Sequence, residues 1–153
     1  MPGRLSTITT GVPDLIAQAE LRVDTPGPGL IEITREATDF LQQCGAAEGA
    51  LHVFLRHTSA SLCLQENADP DVRRDLMTAL RRLAPENAGW VHDTEGADDM
   101  PAHIKAMLTG VSLHLPVAAG RPALGTWQGL YLIEHRRLPH AREVVFQFLG
   151  SRA

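Results

Sequence analysis

From Val111 onward the chain reads as three strand-like segments in succession, Val111 to Val117, Leu124 to Glu134 and Glu143 to Leu149. They are separated by turn residues and not by any helical pattern. Strands joined this closely cannot run parallel, because a parallel pair needs a crossover of about a dozen residues or more. The last third of the chain therefore predicts antiparallel sheet, and whatever precedes it must pack on that sheet.

The preceding segments supply strands and helices in irregular order. Ala17 to Thr25 and Leu30 to Ile33 read as strands around a Pro26-Gly27-Pro28-Gly29 turn, and Thr34 is placed to cap a helix that Gly45 stops after Cys44. Ala46 to Gly49 reads as a connector, Ala50 to Arg56 as a buried strand, and Ser61 to Gln65 as a second central strand by its alternation. Asp69-Pro70-Asp71 is a strong helix start, with an N-cap acid and Pro at the first helical position, and Val72, Leu76, Ala79, Leu80 and Leu83 form one face behind it. Pro85 ends that helix, and Trp90 to His92 reads as a short strand. A further helix is predicted from Asp99 to the glycine stop at Gly110, with Met100, Ile104, Met107 and Leu108 toward the core. Without a GxGxxG turn or regular βαβ alternation, an α+β layer or sandwich, mostly antiparallel with helices packed on it, fits the pattern better than a Rossmann arrangement. Residues 1-16 read as an N-terminal extension and 17-153 as one domain.

At 153 residues the chain is long enough for one core without staples. A formal net charge of -4 offers no basic footprint for nucleic acid, and Arg73-Arg74, Arg81-Arg82 and Arg136-Arg137 read as solvated surface pairs. Cys44 and Cys63 have no CxxC spacing, which predicts reduced thiols and a cytoplasmic setting. The first residues lack a signal-peptide pattern, and no apolar run approaches the roughly 18 residues that span a bilayer, so no membrane is expected.

Chemistry-bearing side chains are dense between His57 and His103. His57, His92 and His103 come from three separate elements and offer the neutral nitrogens that hold Zn²⁺ or another divalent ion, although no HExxH or CxxC spacing is present. On composition alone, surface or structural histidines are the commoner outcome. Glu66 precedes the Asp69 cap with no evident structural duty, which makes it a candidate base or ligand; Asn67 lies beside it. Glu95 and Asp98 sit just before a helix and can hold Mg²⁺ on a phosphorylated substrate, whereas capping accounts for Asp99. Gly125-Thr126-Trp127-Gln128-Gly129 places a stacking ring and an amide in a strand broken by glycines, a core or interface Trp being the plainer reading. His52, His114 and His140 have no supporting acids or glycines in sequence and read as background.

HTSASLCLQENADPDVRRDL, HDTEGADDMPAHIK, GVSLHLP, GTWQG and EHR, in that order, resemble the YjbQ family, often named secondary thiamine-phosphate synthase. The resemblance covers about Ala17 to Leu149. It implies a β-sandwich α+β fold, a homotrimer, and site positions at His57, Glu66, Asn67, His92, Glu95, Asp98, His103, Trp127 and Gln128. It also implies coupling of a pyrimidine methyl pyrophosphate to a thiazole phosphate, apparently as a secondary activity. Cys63 stands where the family usually has Thr, and Thr94 replaces a common aromatic.

Three functions compete at this stage. One is a thiamine-phosphate-synthase-like transferase with Glu66 and Asp98 in catalysis, Asn67, Glu95, Trp127 and Gln128 on the substrate, and His57, His92 and His103 on a Zn or Mg ion. Another is a metal-dependent hydrolase of a phosphorylated small molecule, with Glu66 activating water. The third is a non-catalytic trimeric metabolite-binding protein. No organic cofactor is indicated. Both enzyme readings expect the three imidazoles to converge on one point with Glu66 and Trp127 close by, and an anion to suit the start of the His103 helix.

Overall fold

The computed structural model describes residues 2–153. Its elements in chain order are β1 (Leu15–Thr25), β2 (Gly29–Glu32), α1 (Thr34–Gln43), β3 (Ala46–Leu55), β4 (Ala60–Glu66), α2 (Pro70–Leu83), α3 (Asp99–Thr109), β5 (Ser112–Ala118), β6 (Arg121–Pro122), β7 (Gln128–Glu134) and β8 (His140–Arg152). They form a five-stranded sheet ordered β1-β8-β3-β5-β6 and a three-stranded sheet ordered β2-β7-β4, with every pairing antiparallel. This is the α+β, antiparallel architecture that the closely spaced late strands require.

Alternation decides which face is dry. Leu51, Val53 and Leu55 of β3, Leu115 and Val117 of β5, and Val144, Phe146 and Phe148 of β8 point inward from the large sheet, against Leu62, Leu130 and Leu132 of the small one. Helix α1 closes the core with Ala37 and Leu41. The other face of the large sheet is open to water, as an antiparallel sheet permits. At its far end β3 meets β8 with a register shift between Ala46 and Gly49; a Cβ on Gly150 would lie 2.1 Å from the Glu48 carbonyl oxygen, so the strands cross there only because that residue has no side chain.

A buried ion pair ties the two sheets together. Glu134 at the end of β7 accepts from Arg142 Nε of β8 at 2.8 Å, from Arg142 Nη2 at 2.5 Å and from Thr25 Oγ of β1 at 2.6 Å. The backbone N–H groups of His135 and Arg136 donate to the same carboxylate at 3.0 and 3.1 Å. Burial alone would raise the Glu134 pKa, but these five donors outweigh it and hold the carboxyl below its usual range. The pair fixes how the chain leaves β7, and so where Arg136 points.

Several expected elements differ. Trp90 to His92 is not a strand: it lies in the irregular 84–98 segment, where Trp90 Nε1 donates to the Pro85 carbonyl at 2.8 Å. The connector Ala46 to Gly49 extends β3, and Trp127 lies in a turn ahead of β7, since Leu124 to Gly125 do not join that strand. Helix α2 begins at its Asp69 cap, whose side chain accepts the Asp71 N–H at 2.9 Å, but none of its residues is buried and Leu83 is largely exposed. Helix α3 is turned relative to expectation: Asp99, Pro101, Ala102, Lys105 and Ala106 face inward, and Met107 and Leu108 face water. Small alanines let α3 approach β4 closely, and that approach takes precedence over burying the longer apolar side chains. Among the described residues, no helix is long and apolar enough to cross a membrane.

Candidate functional site

The α3 rotation carries the chemistry, because it turns Asp99 and His103, one helical turn apart, onto the same inward edge. Asp99 is almost fully enclosed. Its Oδ2 lies 2.6 Å from His92 Nε2 and 3.2 Å from His103 Nε2, and the three donor atoms fall within 4.8 Å of one another. His92 arrives from the 84–98 segment, with its ring edge-on to His103 at 5.5 Å between centroids. Both imidazoles are partly open to solvent, so the group has one dry carboxylate and two accessible nitrogens.

Surrounding contacts orient each member. Arg136 Nη1 donates to Asp99 Oδ1 at 2.5 Å, its Nε to Asp98 Oδ2 at 3.0 Å and its Nη2 to the Glu95 carbonyl at 2.8 Å. One guanidinium therefore fixes the Asp99 carboxylate and the loop that presents His92. Asp98 Oδ2 also accepts the Arg137 N–H at 2.9 Å, so the Asp98 carboxylate clamps the segment after β7 to the start of α3. His103 Nδ1 lies 3.0 Å from the Thr58 carbonyl; a carbonyl only accepts, so Nδ1 carries the proton and donates. Nε2 of a neutral His103 then turns a lone pair toward the Asp99 oxygen.

Asp98, Asp99 and Glu95 set three carboxylates against the single guanidinium of Arg136, because the Arg137 side chain pairs with Glu86 instead. With neutral imidazoles the cluster is short of two positive charges. The hydrogen bond to Asp99 raises the His92 pKa, an effect that burial only partly offsets and that Glu95, 3.2 Å away, reinforces. Burial works to raise the pKa of Asp99, but the His92 bond and the Arg136 charge outweigh it and hold the carboxyl low. The start of α3 is thus occupied by the chain's own carboxylates, which leave an excess of negative charge there.

Other sequence candidates lie elsewhere. His57 does not join the group: its Nε2 accepts the Glu143 N–H at 2.8 Å, facing β8. Glu66 is at the opposite end of β4, six residues past Ala60, about 20 Å along a strand at ~3.3 Å per residue. It pairs with Gln128, and Asn67 donates its N–H to the Trp127 carbonyl at 3.0 Å, so Glu66, Asn67, Trp127 and Gln128 form a corner of their own, with Trp127 64% exposed. Glu66 Oε2 is buried there and has no hydrogen-bond partner among the described residues. Neither the convergence of His57 nor the nearness of Glu66 and Trp127 holds within one chain. A groove of about 740 Å³ between residues 9–13 and the ends of β3 and β8 contains none of these side chains.

Two members escaped the sequence reading. Asp99 was assigned to capping alone, although its i, i+4 spacing to His103 on one helix is a ligand-pair signal. Arg136 reads from the sequence as one of a solvated pair, and only its place in the EHR motif points elsewhere.

Fold and site together define a single-domain α+β protein of two antiparallel sheets bearing a two-histidine, one-carboxylate centre at the start of its third helix. The profile of the family described as UPF0047 protein YjbQ-like matches residues 19–151, and the chain belongs to that family. A UPF0047 protein of Synechocystis is 48% identical over 135 residues, covering 88% of this chain and 92% of the relative. UPF0047 protein YjbQ of Salmonella typhimurium is 51% identical over 120 residues, covering 78% and 87%. Among solved structures, a hypothetical protein from Aeropyrum pernix matches with a TM-score of 0.82 at 28% identity, over 88% of this chain and 99% of that one. A conserved hypothetical protein from Thermus thermophilus matches with a TM-score of 0.75 at 39% identity, over 83% and 97%.

Proposed function

We propose that the chain is a metal-dependent enzyme acting on a phosphorylated small molecule at the His92–Asp99–His103 centre. The observation that carries this is the facing of lone pairs: Asp99 Oδ2 is 3.2 Å from a His103 nitrogen whose partner nitrogen is already committed to the Thr58 carbonyl. Two acceptors at that distance repel unless a proton or a cation lies between them. The charge shortfall of the cluster and the second contact from His92 favour a divalent cation. Two imidazoles and one carboxylate are a common donor set for Zn²⁺ or Fe²⁺ that leaves positions open. A bound ion would supply Lewis-acid polarisation of a phosphoryl oxygen.

The protein's part is then orientation and proton handling. Arg136 keeps the Asp99 carboxylate aimed, the Thr58 carbonyl fixes the His103 tautomer, and Glu95, beside His92 and exposed, is within reach to accept a proton from an attacking water. Glu95, not the distant Glu66, is the residue placed for the base role. Hydrolysis is the leading reaction because water needs no second binding platform. Thiamine-phosphate-synthase-like transfer is the second reading: the family resemblance supports it, and the excess of carboxylates suits a pyrimidinylmethyl group gaining positive charge as pyrophosphate departs. The homotrimer belongs to the same proposal and rests on that resemblance; a cytoplasmic setting is supported by the free thiols Cys44 and Cys63.

The test is element analysis of the purified protein and of Asp99→Asn, followed by assays for phosphate release and for pyrimidine–thiazole coupling. About one Zn, Fe or Mn per chain, falling at least tenfold in Asp99→Asn together with turnover, is the expected result. Metal without turnover in either assay would leave a binding protein, and absence of metal binding would overturn the proposal.

A further inference from the structure

We propose that His52 and His114 form a second metal site, made of nitrogen donors only, on the open face of the large sheet, where it takes late first-row divalent ions with Cu²⁺ foremost. The inference is independent of the chemistry assigned to the α3 centre. His52 of β3 and His114 of β5 are direct cross-strand partners, and alternation sends both side chains outward. Their rings lie parallel, 3° apart in plane and 4.4 Å between centroids. That proximity is set by the register and not by chance contact of long side chains.

The surroundings decide which ions fit. Along the same row the pair continues into Gln147 of β8 and Gln18 of β1, which bond each other at 3.1 Å, and the flanking rows bring Ala50 with Pro116 on one side and Phe54 with Ser112 on the other. Two carboxylates share this face, Glu20 of β1, two strand spacings or about 10 Å from β3, and Glu143 of β8, four residues or about 13 Å along from the Gln147 row; both are bound to Arg56, at 2.6 and 2.7 Å. With no carboxylate at hand, Mg²⁺ and Ca²⁺ find none of the oxygen ligands they require. Imidazole suits Cu²⁺, Ni²⁺ and Zn²⁺, and the affinity order among divalent ions peaks at Cu²⁺.

Donor state and access also agree. Burial and the neighbouring His114 lower the His52 pKa, so His52 keeps a free lone pair at neutral pH. Ser112 Oγ lies 2.8 Å from His52 Nε2 and orients that ring; as a hydroxyl it can donate or accept, and so it adapts when an ion arrives. Two adjacent coordinating nitrogens stand about 3 Å apart at metal–nitrogen bonds near 2.0 Å. Rotation of two rings on an open face covers the closure required, and water fills the remaining positions.

The experiment is a titration of the full chain with Cu²⁺ alone, followed by electron paramagnetic resonance and by paramagnetic broadening of backbone amide signals. It is carried out on wild type, His52→Ala, His114→Ala and His103→Ala, with circular dichroism verifying that each variant folds. Broadening centred on β3 and β5, a spectrum with two coordinated nitrogens, and at least tenfold weaker binding at that location in either sheet variant but not in His103→Ala, would establish the site. Broadening confined to the α3 region, or unchanged binding on the sheet in His114→Ala, would overturn it. Mg²⁺ at millimolar concentration should fail to displace the Cu²⁺; displacement would likewise count against a nitrogen-only site.

Discussion

Arg136 shows how much one side chain outside a ligand set can decide. Its three donors reach Asp99, Asp98 and the Glu95 carbonyl, so it holds the carboxylate and the His92 loop as one unit. Lysine would keep the charge but cannot span three acceptors in one plane. Loss of such an orienting contact typically lowers metal affinity by about 10- to 100-fold. Arg136→Lys is therefore expected to weaken Zn²⁺ binding within that range while leaving the melting temperature within a few degrees of wild type. Competition with a chromogenic chelator measures it; unchanged affinity would show that Asp99 is oriented by α3 alone. In the sequence, Arg136 was hidden because its partners lie 37 and 38 positions away and no local pattern joins them. His103 was legible because a helix start and its periodicity are local properties.

Helix starts and sheet alternation were readable for the same reason: capping, the missing N–H of proline and the two-residue period act within a few residues. The antiparallel late strands and the α2 start at Asp69 follow from them directly. The turn of α3 did not, because Asp99 and Lys105 are buried on account of what faces them, while Met107 and Leu108 are exposed for want of anything to cover them within the chain. Trp90 to His92, which reads as a short strand, is irregular instead, since among the described residues no strand edge pairs with it. At this scale Asp69→Ala should cost about 1 kcal/mol through the lost cap bond to Asp71. Glu66→Ala should cost less or even stabilise, because it removes a buried oxygen without a partner. Denaturant midpoints of the two variants test the contrast, and equal losses would assign Glu66 a supporting role at the end of β4.

Across the whole molecule, the end of β7 and the two residues after it have separate duties: Glu134 joins the sheets, Arg136 orients the centre, and His135 between them is sealed beneath α3. His135 Nε2 lies 2.8 Å from Ser61 Oγ, its Nδ1 is buried without a partner, and burial, aided by the Lys105 charge, pushes its pKa down to about 4. Thr109 Oγ is bonded to the Lys105 carbonyl at 2.7 Å and lies 2.5 Å from Ser61 Oγ. If Thr109 donates to the carbonyl, Ser61 donates to Thr109 and His135 Nε2–H donates to Ser61, leaving Nδ1 a bare acceptor. A proton on Nδ1 would put a charge and an unpaired donor into that space. In the unfolded chain the same imidazole titrates near 6.5, so between about 6.5 and about 4 the unfolded state binds a proton that the folded state refuses. The stabilising contribution is complete above pH 6.5, declines as the pH falls through this window, and levels off below about 4. At 1.36 kcal/mol per pH unit, the full decline is on the order of 3 kcal/mol. Glu134, whose pKa is held low, acts in the same direction but further into acid, as its Arg142 and Thr25 bonds are lost on protonation. His92, with its pKa raised, acts in the opposite direction and above this window: its contribution is complete below about pH 6.5 and is lost as the pH rises past that value, so the wild-type profile from pH 7.5 downward is not diagnostic alone. His135→Gln keeps a donor toward Ser61, removes the titration and leaves Glu134 and His92 in place. Urea midpoints from pH 7.5 to 4.5 should fall more steeply for wild type than for the variant, the difference accumulating below pH 6.5. Parallel profiles would mean that His135 takes up its proton in the folded chain as readily as in water, and that the space around Nδ1 is not sealed.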